Sequence, residues 1–258
     1  MSRLIDKLNQ VSQAAPQPMG FRARQSAIPK PKMLLIASLP QVITDNLAAY
    51  VAGADAGLLP TSQSSGAKAL QEASQAVPDL PWGAWLKDGG QAEIDEIVKV
   101  GCDFLVFAAD STSLAIPPSD PVGRIIEVYA RALSDGLLRA IDDLPVDAVL
   151  IADQPGEEHF LTWRDLILFQ HAANLLTKPL LVPIPPNVMA NELQALLEAG
   201  VDGVIAEVGV GQPEGRISEL RQVIDKLAAP SRRKRGKAEA LLPHITEEQG
   251  TISEEEEE

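Results

Sequence analysis

The chain has 258 residues, of which 45% are apolar, and a formal net charge of −14 at pH 7. This length suits one large domain with a sizeable core, and no apolar run approaches the roughly 20 residues that a membrane-spanning helix needs. So acidic a chain is a poor match for nucleic acid, because binding to a phosphate backbone depends on clustered Lys and Arg. The composition therefore predicts a soluble protein whose partner is a small-molecule ligand.

The N-terminus and the cysteine content predict a cytoplasmic protein. Residues 1–20 interleave polar side chains with single apolar ones, a pattern unlike the apolar run of a signal peptide. The single cysteine, Cys102, cannot form an intramolecular disulfide, and it opens an apolar run that is typical of a strand. We interpret it as a buried thiol in a reducing compartment, with a catalytic thiol as the alternative.

The first 32 residues are predicted to precede the main domain. Within residues 1–12, four apolar residues fall on one helical stripe, namely Leu4, Ile5, Leu8 and Val11. Residues 14–32 contain four prolines and no clear periodicity, which indicates an extended lead-in. We expect the short helix to close the bottom of the domain that follows.

From residue 33 onward, a turn signature containing an aspartate recurs four times. Its copies are AGADAGLL at 52–59, VGCDFLVF at 100–107, LPVDAVLI at 144–151 and AGVDGVIA at 199–206. Each copy ends a helix, turns and begins a strand. The aspartates are 48, 44 and 55 residues apart, which fits two strand–helix units per interval. Four further strands are therefore expected between them: MLLIAS at 33–38, WGAWLK at 82–87, RIIEVYA at 124–130 and LLVPIP at 180–185.

These eight strands predict a closed parallel barrel. Continuous apolar runs, rather than strict alternation, are typical of parallel strands that are covered on both faces. Helical segments fit between most strands, although the proline-rich interval at 111–121 has room for barely one turn. A doubly wound sheet would need a glycine-rich turn after the first strand, where this chain has ASLPQVITDN. We predict a (β/α)8 barrel over 33–228, preceded by segment 1–32 and followed by a disordered charged tail at 229–258.

Functional groups in such barrels cluster at the C-terminal ends of the strands. The repeated residues Asp55, Asp103, Asp147 and Asp202 begin their strands, so we interpret them as structural turn residues at the other end. The catalytic candidates are Lys87, Asp110, Asp153, His159 and Glu207. Strand alternation sends Glu207 and Asp153 to opposite faces, unless the strand has ended by residue 153.

The candidates suggest specific chemistry. Lys87 could bind an anion or form a Schiff base, and His159 is the histidine expected to reach the mouth as a general acid or base. A hard cation such as Mg²⁺ would suit the carboxylates of Asp110, Asp153 and Glu207, together with Glu127 inside the fifth strand.

The segment GVDGVIAEVG at 200–209 resembles the last strand of aldolase-type, phosphate-binding (β/α)8 barrels. The resemblance implies the barrel fold and a strand end that presents backbone N–H groups from a Gly-Ser pair to phosphate. Here Glu207 and Val208 replace that pair, and PIPP at 183–186 replaces the glycine-rich end of the seventh strand. Carboxylates repel phosphate and proline has no N–H, so we expect the usual phosphate or FMN grip to be absent. Gly209 and Gly211 are left for a displaced anion-binding loop.

Three functions stay open from the sequence. The first is a lyase- or isomerase-like enzyme in which the mouth carboxylates, with Lys87 or His159, transfer protons, with or without Mg²⁺. The second is a binding or assembly module without catalysis, such as a homo-oligomer, in which the apolar mouth or the tail segment KAEALLPHI contacts a partner. The third is an FMN-dependent oxidoreductase.

Overall fold

The computed structural model contains a closed barrel of eight parallel strands in sequential order, which confirms the predicted fold. The structure describes residues 2–12, 31–40, 46–61, 66–86, 91–112, 122–152, 160–209 and 214–230. Most of the predicted lead-in and tail lie outside these ranges. No helix among the described residues combines the length and the apolar composition that crossing a membrane would require.

All eight predicted strands are present. They are β1 (Leu34–Ser38), β2 (Ala56–Thr61), β3 (Trp82–Leu86), β4 (Phe104–Ala108), β5 (Gly123–Tyr129), β6 (Ala148–Ala152), β7 (Leu180–Ile184) and β8 (Gly203–Glu207). The helices are α1 (Arg3–Ser12), α2 (Leu47–Tyr50), α3 (Gly66–Ala76), α4 (Gln91–Lys99), α5 (Asp135–Asp143), α6 (Trp163–Leu175), α7 (Ala190–Glu198) and α8 (Arg216–Lys226).

Local sequence signals explain where two of the helices begin. The Ser134 hydroxyl accepts a hydrogen bond from the Leu137 N–H at 3.3 Å and so caps α5. Thr162 and Asp165 form the capping box of α6, with the Thr162 N–H donating to the Asp165 carboxylate at 2.8 Å. Between β4 and β5 the described residues form no helix, and residues 113–121 lie outside the described ranges.

Three of the repeated aspartates join neighbouring strands through the same pair of hydrogen bonds. The Asp55 N–H donates to the Leu35 carbonyl at 2.8 Å, and the Leu35 N–H donates back to the Asp55 carboxylate at 2.9 Å. Asp147 exchanges this pair of bonds with Arg124, and Asp202 with Leu180. In each pair the side chain accepts from a backbone N–H near the start of the partner strand. The predicted structural role of these aspartates is confirmed.

Asp103 uses its carboxylate differently, as the anchor of α1. Its backbone N–H donates to the Trp82 carbonyl at 2.8 Å, as in the other copies. Its carboxylate, however, accepts from the Ser2 hydroxyl at 2.8 Å and from the backbone N–H groups of Arg3 at 2.8 Å and Leu4 at 3.0 Å. The first N–H groups of a helix lack intrahelical partners and carry partial positive charge. Asp103 therefore caps α1 from another part of the chain.

Helix α1 closes the N-terminal end of the barrel, as predicted. Its apolar stripe packs in the barrel interior against residues from several strands, among them Leu34, Phe104 and Ile205. Glycine makes room for this helix, because a Cβ on Gly123 would lie only 2.5 Å from Cγ1 of Ile5. Since the interior is filled from this end, we expect functional groups at the opposite, C-terminal end of the strands.

Replacing Asp103 with alanine is expected to lower the free energy of unfolding by about 2–4 kcal/mol, because two helix N–H groups and a hydroxyl lose a charged acceptor. Urea denaturation followed by circular dichroism measures this change. The matched control is Asp143→Ala, which removes an exposed carboxylate at the end of α5 and should change the free energy by less than about 0.5 kcal/mol. Equal small effects of the two substitutions would contradict the anchoring role.

Candidate active site at the barrel mouth

Alternate residues of each strand face the barrel interior. The interior cluster contains one such residue near the middle of most strands: Ile36, Leu58, Val106, Ile125, Leu150, Leu181 and Ile205. The next inward-facing position on each strand lies two residues later, at the C-terminal mouth. Alternation therefore places these residues at the mouth: Ser38, Pro60, Ala108, Glu127, Ala152, Pro183 and Glu207.

The carboxylate of Glu127 is the central polar group of the mouth. Glu127 is only 8% exposed, and the indole N–H of Trp85 donates to its Oε2 atom at 2.9 Å. Trp85 itself packs against the apolar interior cluster. Removing a carboxylate from water is costly unless hydrogen bonds replace its hydration. A buried carboxylate at the end of the barrel where these folds carry their active sites is the strongest functional candidate among the described residues.

Tyr129 and Asp110 extend this polar side of the mouth. Tyr129 ends β5 and lies two residues after Glu127, so strand alternation puts both side chains on one face. Loss of hydration raises the pKa of Tyr129 above its ordinary value, and the negative charges of Glu127 and Asp110 raise it further. The three groups therefore share one region of negative potential.

Between β6 and β7, the pairing of the strands stops short of the mouth. These strands pair only at Val149 with Leu180 and at Leu150 with Leu181. In β7 the odd-numbered residues bond towards β6, as shown by the Val149 N–H that donates to the carbonyl of Pro179. After Leu181, the next odd-numbered residue is Pro183, which has no N–H to donate to β6. The ladder therefore ends before the strands reach the mouth.

A small apolar cleft, with a cavity volume of about 20 Å³, opens where this ladder ends. Its lining includes Ala130, Ala152, Phe160, Phe169, Pro183 and Pro185. Asp165 also lines the cleft, but its carboxylate accepts from the Thr162 N–H at 2.8 Å and the Thr162 hydroxyl at 2.7 Å. Because Ala152 pairs with Tyr129 in the sheet, the cleft lies beside the polar group of the mouth.

Of the five predicted catalytic residues, Asp110 and Glu207 are described. Asp110 follows β4 and Glu207 ends β8, four positions apart in the ring of eight strands, so they lie across the mouth from each other. Lys87, Asp153 and His159 lie outside the described residues. Since β6 ends at Ala152, just before Asp153, the alternation argument applies to Glu207 alone; it faces inward at an exposed rim.

The predicted Mg²⁺ site stays a prediction. Among the residues that the structure describes, no three His, Cys, Asp or Glu side chains come together as a metal site would require. Its two described members, Asp110 and Glu207, lie on opposite sides of the mouth.

Around the start of α8, the described residues offer a ligand mainly acidic side chains and backbone carbonyls. Arg216, in the first turn of α8, donates to the Pro186 carbonyl at 2.9 Å and lies 3.5 Å from the Glu219 carboxylate. Glu214 precedes the same helix, whose N-terminal positive potential is therefore already flanked by two acidic side chains. This setting disfavours an anion beside Gly209, the described member of the predicted anion-binding loop; Gly211 lies outside the described residues.

Cys102 is the predicted buried thiol. It lies in the turn before β4, at the end of the barrel opposite the mouth, and its thiol donates to the Phe104 carbonyl at 3.0 Å. Burial raises the pKa of Cys102 to about 12. A thiol with this pKa carries almost no thiolate at neutral pH and is a poor nucleophile.

Sequence reasoning missed Trp85 and Tyr129 as site residues and considered Glu127 only as a metal ligand. The sequence signal that could have found them is the two-residue alternation that was applied to Glu207. Applied to β5, it puts Ile125, Glu127 and Tyr129 on one face, and an apolar residue followed by two polar ones marks the approach to the mouth.

No family model matches this chain, and neither does any curated protein. Solved structures do match. A mutant tryptophan synthase alpha-subunit from the hyperthermophile Pyrococcus furiosus has a TM-score of 0.56 and 13% identity, over 75% of this chain and 97% of that one. A native KDPGal structure has a TM-score of 0.55 and 16% identity, over 80% of this chain and 96% of that one.

The chain has the fold of the aldolase-type (β/α)8 barrels. A cube-shaped, porous protein cage, designed by fusing symmetric oligomeric domains, also matches, with a TM-score of 0.56 and 14% identity over 76% of this chain and 72% of that one. At such identities the likeness concerns the fold alone, and any function of this barrel has to be argued from its own residues.

Removing either neighbouring carboxylate is expected to lower the pKa of Tyr129, because the phenolate would then form beside one negative charge fewer. The chain has two tyrosines, so a Tyr50→Phe background leaves Tyr129 as the sole phenol. Absorbance titration near 295 nm should show a lower midpoint for Glu127→Gln and Asp110→Asn, and an unchanged midpoint for the distant control Glu72→Gln. An unchanged midpoint in all three variants would contradict the shared negative region.

Proposed function

We propose that this chain is a small-molecule enzyme of the lyase or isomerase type, in which Glu127 removes a proton from the substrate at the barrel mouth. The observation that carries the proposal is the buried Glu127 carboxylate, oriented by the Trp85 indole N–H at 2.9 Å. The hydrogen bond from the indole fixes the orientation of one carboxylate oxygen. General bases of this kind typically contribute 10²–10⁴-fold to a rate.

The chemistry follows from the neighbours of Glu127. Abstraction of a proton from the carbon next to a carbonyl is a step common to aldol-type lyases and keto isomerases. In the proposed step the C–H proton passes to the Glu127 carboxylate, and the electron pair of the C–H bond forms a double bond to the carbonyl carbon. The π electrons of the carbonyl move onto its oxygen, which gives an enolate. Tyr129 ends the same strand and its phenol, kept protonated by its raised pKa, is the proposed hydrogen-bond donor to that oxygen.

The remaining predicted residues enter the proposal as further candidates. Lys87 follows the inward-facing Trp85 by two residues in the sequence, so alternation predicts that it faces the mouth and acts as a proton carrier or Schiff-base lysine. Asp110, Asp153, His159 and Glu207 are proposed to set the charge of the mouth, with Mg²⁺ as an optional ligand of the three carboxylates.

Proton abstraction is tested by hydrogen–deuterium exchange in D₂O, followed by ¹H NMR on hydroxyacetone, aminoacetone and pyruvate. The wild-type protein should exchange the C–H protons of at least one compound faster than buffer does. Glu127→Gln should lower that rate by about 10²-fold or more, because the amide cannot accept the proton.

The matched control is Glu72→Gln, which removes an exposed carboxylate on α3 and should leave the exchange rate unchanged. Circular dichroism verifies that both variants are folded. Exchange at the buffer rate with wild-type protein, or exchange that survives in Glu127→Gln, would contradict the proposed reaction.

We propose assembly as a second function, favoured by a specific surface of the barrel. The large apolar side chains that are exposed among the described residues all lie on α5, α6 or α7 or within three residues of one of these helices: Leu137, Leu144, Phe160, Trp163, Ile167 and Met189. Contacts link α5 with α6 and α6 with α7, so these helices are neighbours. Several exposed apolar side chains on neighbouring helices favour a site where proteins associate.

The proposed partner of this surface is a second copy of the chain. Native mass spectrometry should show a dimer or larger species for the wild type and a monomer for Trp163→Ser, because Trp163 is 82% exposed and its removal costs the fold little. Glu72→Gln, on the far helix α3, should behave like the wild type. A monomeric wild-type protein would contradict self-association.

A further inference from the structure

The outward face of α6 differs in composition from the outward faces of α3 and α8. Its exposed side chains include a row at helical spacing, which we call the α6 stripe: Trp163, Ile167, Gln170, His171 and Asn174. The stripe contains no Asp, Glu or Lys, although 36 of the 258 residues are acidic. Helices α3 and α8, by contrast, expose both acidic and basic side chains. Depletion of these charged residues and enrichment of Trp are typical of protein interfaces.

Helix α6 carries apolar side chains on two faces. Its inner face is buried through Phe169, Ala172 and Ala173. On the α6 stripe, one turn apart, Trp163 is 82% exposed and Ile167 is 67% exposed. A surface helix that packs on one side needs only one apolar face. The second apolar face of α6 therefore indicates a second packing partner.

Opposite charges lie at the two ends of the α6 stripe. Arg164, next to Trp163, is exposed and has no hydrogen-bond or ion-pair partner among the described residues. At the other end, the Asp135 carboxylate of α5 lies 2.8 Å from Nε2 of His171, and the Asp135 side chain is 66% exposed. Eight residues of helix, about 12 Å, separate Trp163 from His171. A second stripe that ran in the opposite direction would therefore bring each charge towards its opposite.

We propose that two copies of this chain form a two-fold symmetric dimer in which their α6 helices pack antiparallel and cross at Ile167. The inference rests on the proposed self-association, and it adds the contact and its symmetry. In a two-fold interface, a residue i that contacts residue j of the partner is matched by a residue j that contacts residue i. With the crossing at Ile167, Trp163 lies opposite the partner's His171. Arg164 then lies one position away from that histidine, within reach of Asp135 of the partner subunit.

The positions of the apolar residues select this crossing point. A crossing at Trp163 would put Ile167 opposite position 159, before the helix begins, and a crossing at Gln170 would put Trp163 opposite position 177, after it ends. A crossing at Ile167 has helix on both sides and buries both apolar side chains of each copy near the centre, where residues that dominate binding energy cluster. Because α6 begins at the mouth end of its barrel, antiparallel packing points the two mouths in opposite directions and leaves both open.

Charge exchange between Arg164 and Asp135 tests the arrangement. Analytical ultracentrifugation of the full chain measures the dissociation constant of the dimer. Arg164→Asp and Asp135→Arg should each raise this constant by about tenfold or more, because each places like charges opposite each other. The double variant restores opposite charges and should return to within about threefold of the wild type. Lys68→Asp makes the same change of charge as Arg164→Asp, but on the exposed face of α3, and should leave the constant unchanged.

A cysteine at the crossing point is the second test. Under mild oxidation, Ile167→Cys should form a disulfide between two chains, because the two-fold axis brings this residue next to its own copy. Gln75→Cys, which is exposed on α3, should form no such dimer on a non-reducing gel. The native Cys102 is buried and is present in both variants, so it contributes equally to both.

The outcomes separate this inference from the proposed self-association. A monomeric wild-type protein would overturn both. A dimeric wild type in which the double variant does not recover, or in which Ile167→Cys does not cross-link, would overturn the antiparallel α6 contact and leave self-association through another part of the surface. Because the double variant keeps both substitutions, its recovery also shows that the single variants fail through charge and not through loss of the fold.

Discussion

The pair of hydrogen bonds that an aspartate exchanges with its neighbouring strand is the interaction on which the rest of this barrel depends. Asp55, Asp147 and Asp202 each donate a backbone N–H to the partner strand and accept one with the carboxylate. The exchange determines which residues of the two strands lie opposite each other. A slip of one residue would turn every inward side chain outward, so the direction of Glu127 at the far end of β5 depends on Asp147 at the start of β6.

The mouth combines two environments that follow from neighbouring strands. On β5, Glu127 and Tyr129 create a polar, negatively charged wall. On β7, Pro183 interrupts the ladder and leaves apolar surface uncovered. The polar wall is built on β5 itself, whereas the cleft also takes Phe160 from the β6–α6 connection and Phe169 from α6. Groups mounted on strands keep their geometry better than groups on loops, which suits a site that has to hold a base and a substrate in register.

The fold was predictable because its signals are local and repeated. The turn around each aspartate, the apolar runs and the stripe on α1 each involve a few adjacent residues, and together they specify a parallel barrel with a helix below it. Asp103 fits this pattern only in part. The sequence indicated a structural aspartate, but its contact with α1 joins residues about 100 positions apart and has no local signature.

The candidate site was less predictable, because its main contact depends on three-dimensional register. The bond between Trp85 and Glu127 joins residues 42 positions apart on strands that are not adjacent. The sequence favoured polar residues at the ends of strands, such as Asp110 and Glu207. The ring of strands places these two on opposite sides of the mouth. Alternation within β5 was visible in the sequence. The consequence of Pro183 was not, because it requires knowing which neighbour each backbone N–H faces.

The anchoring of α1 also bears on how the chain reaches its native state. During synthesis the helix leaves the ribosome about 100 residues before Asp103, and even longer before β8, whose Ile205 shares its apolar cluster. An isolated ten-residue helix is unstable in water, so α1 acquires lasting structure only when the ring closes. Its docking is therefore a late, long-range step, and an N-terminus that fails to dock would expose the apolar interior of a nearly finished barrel to aggregation.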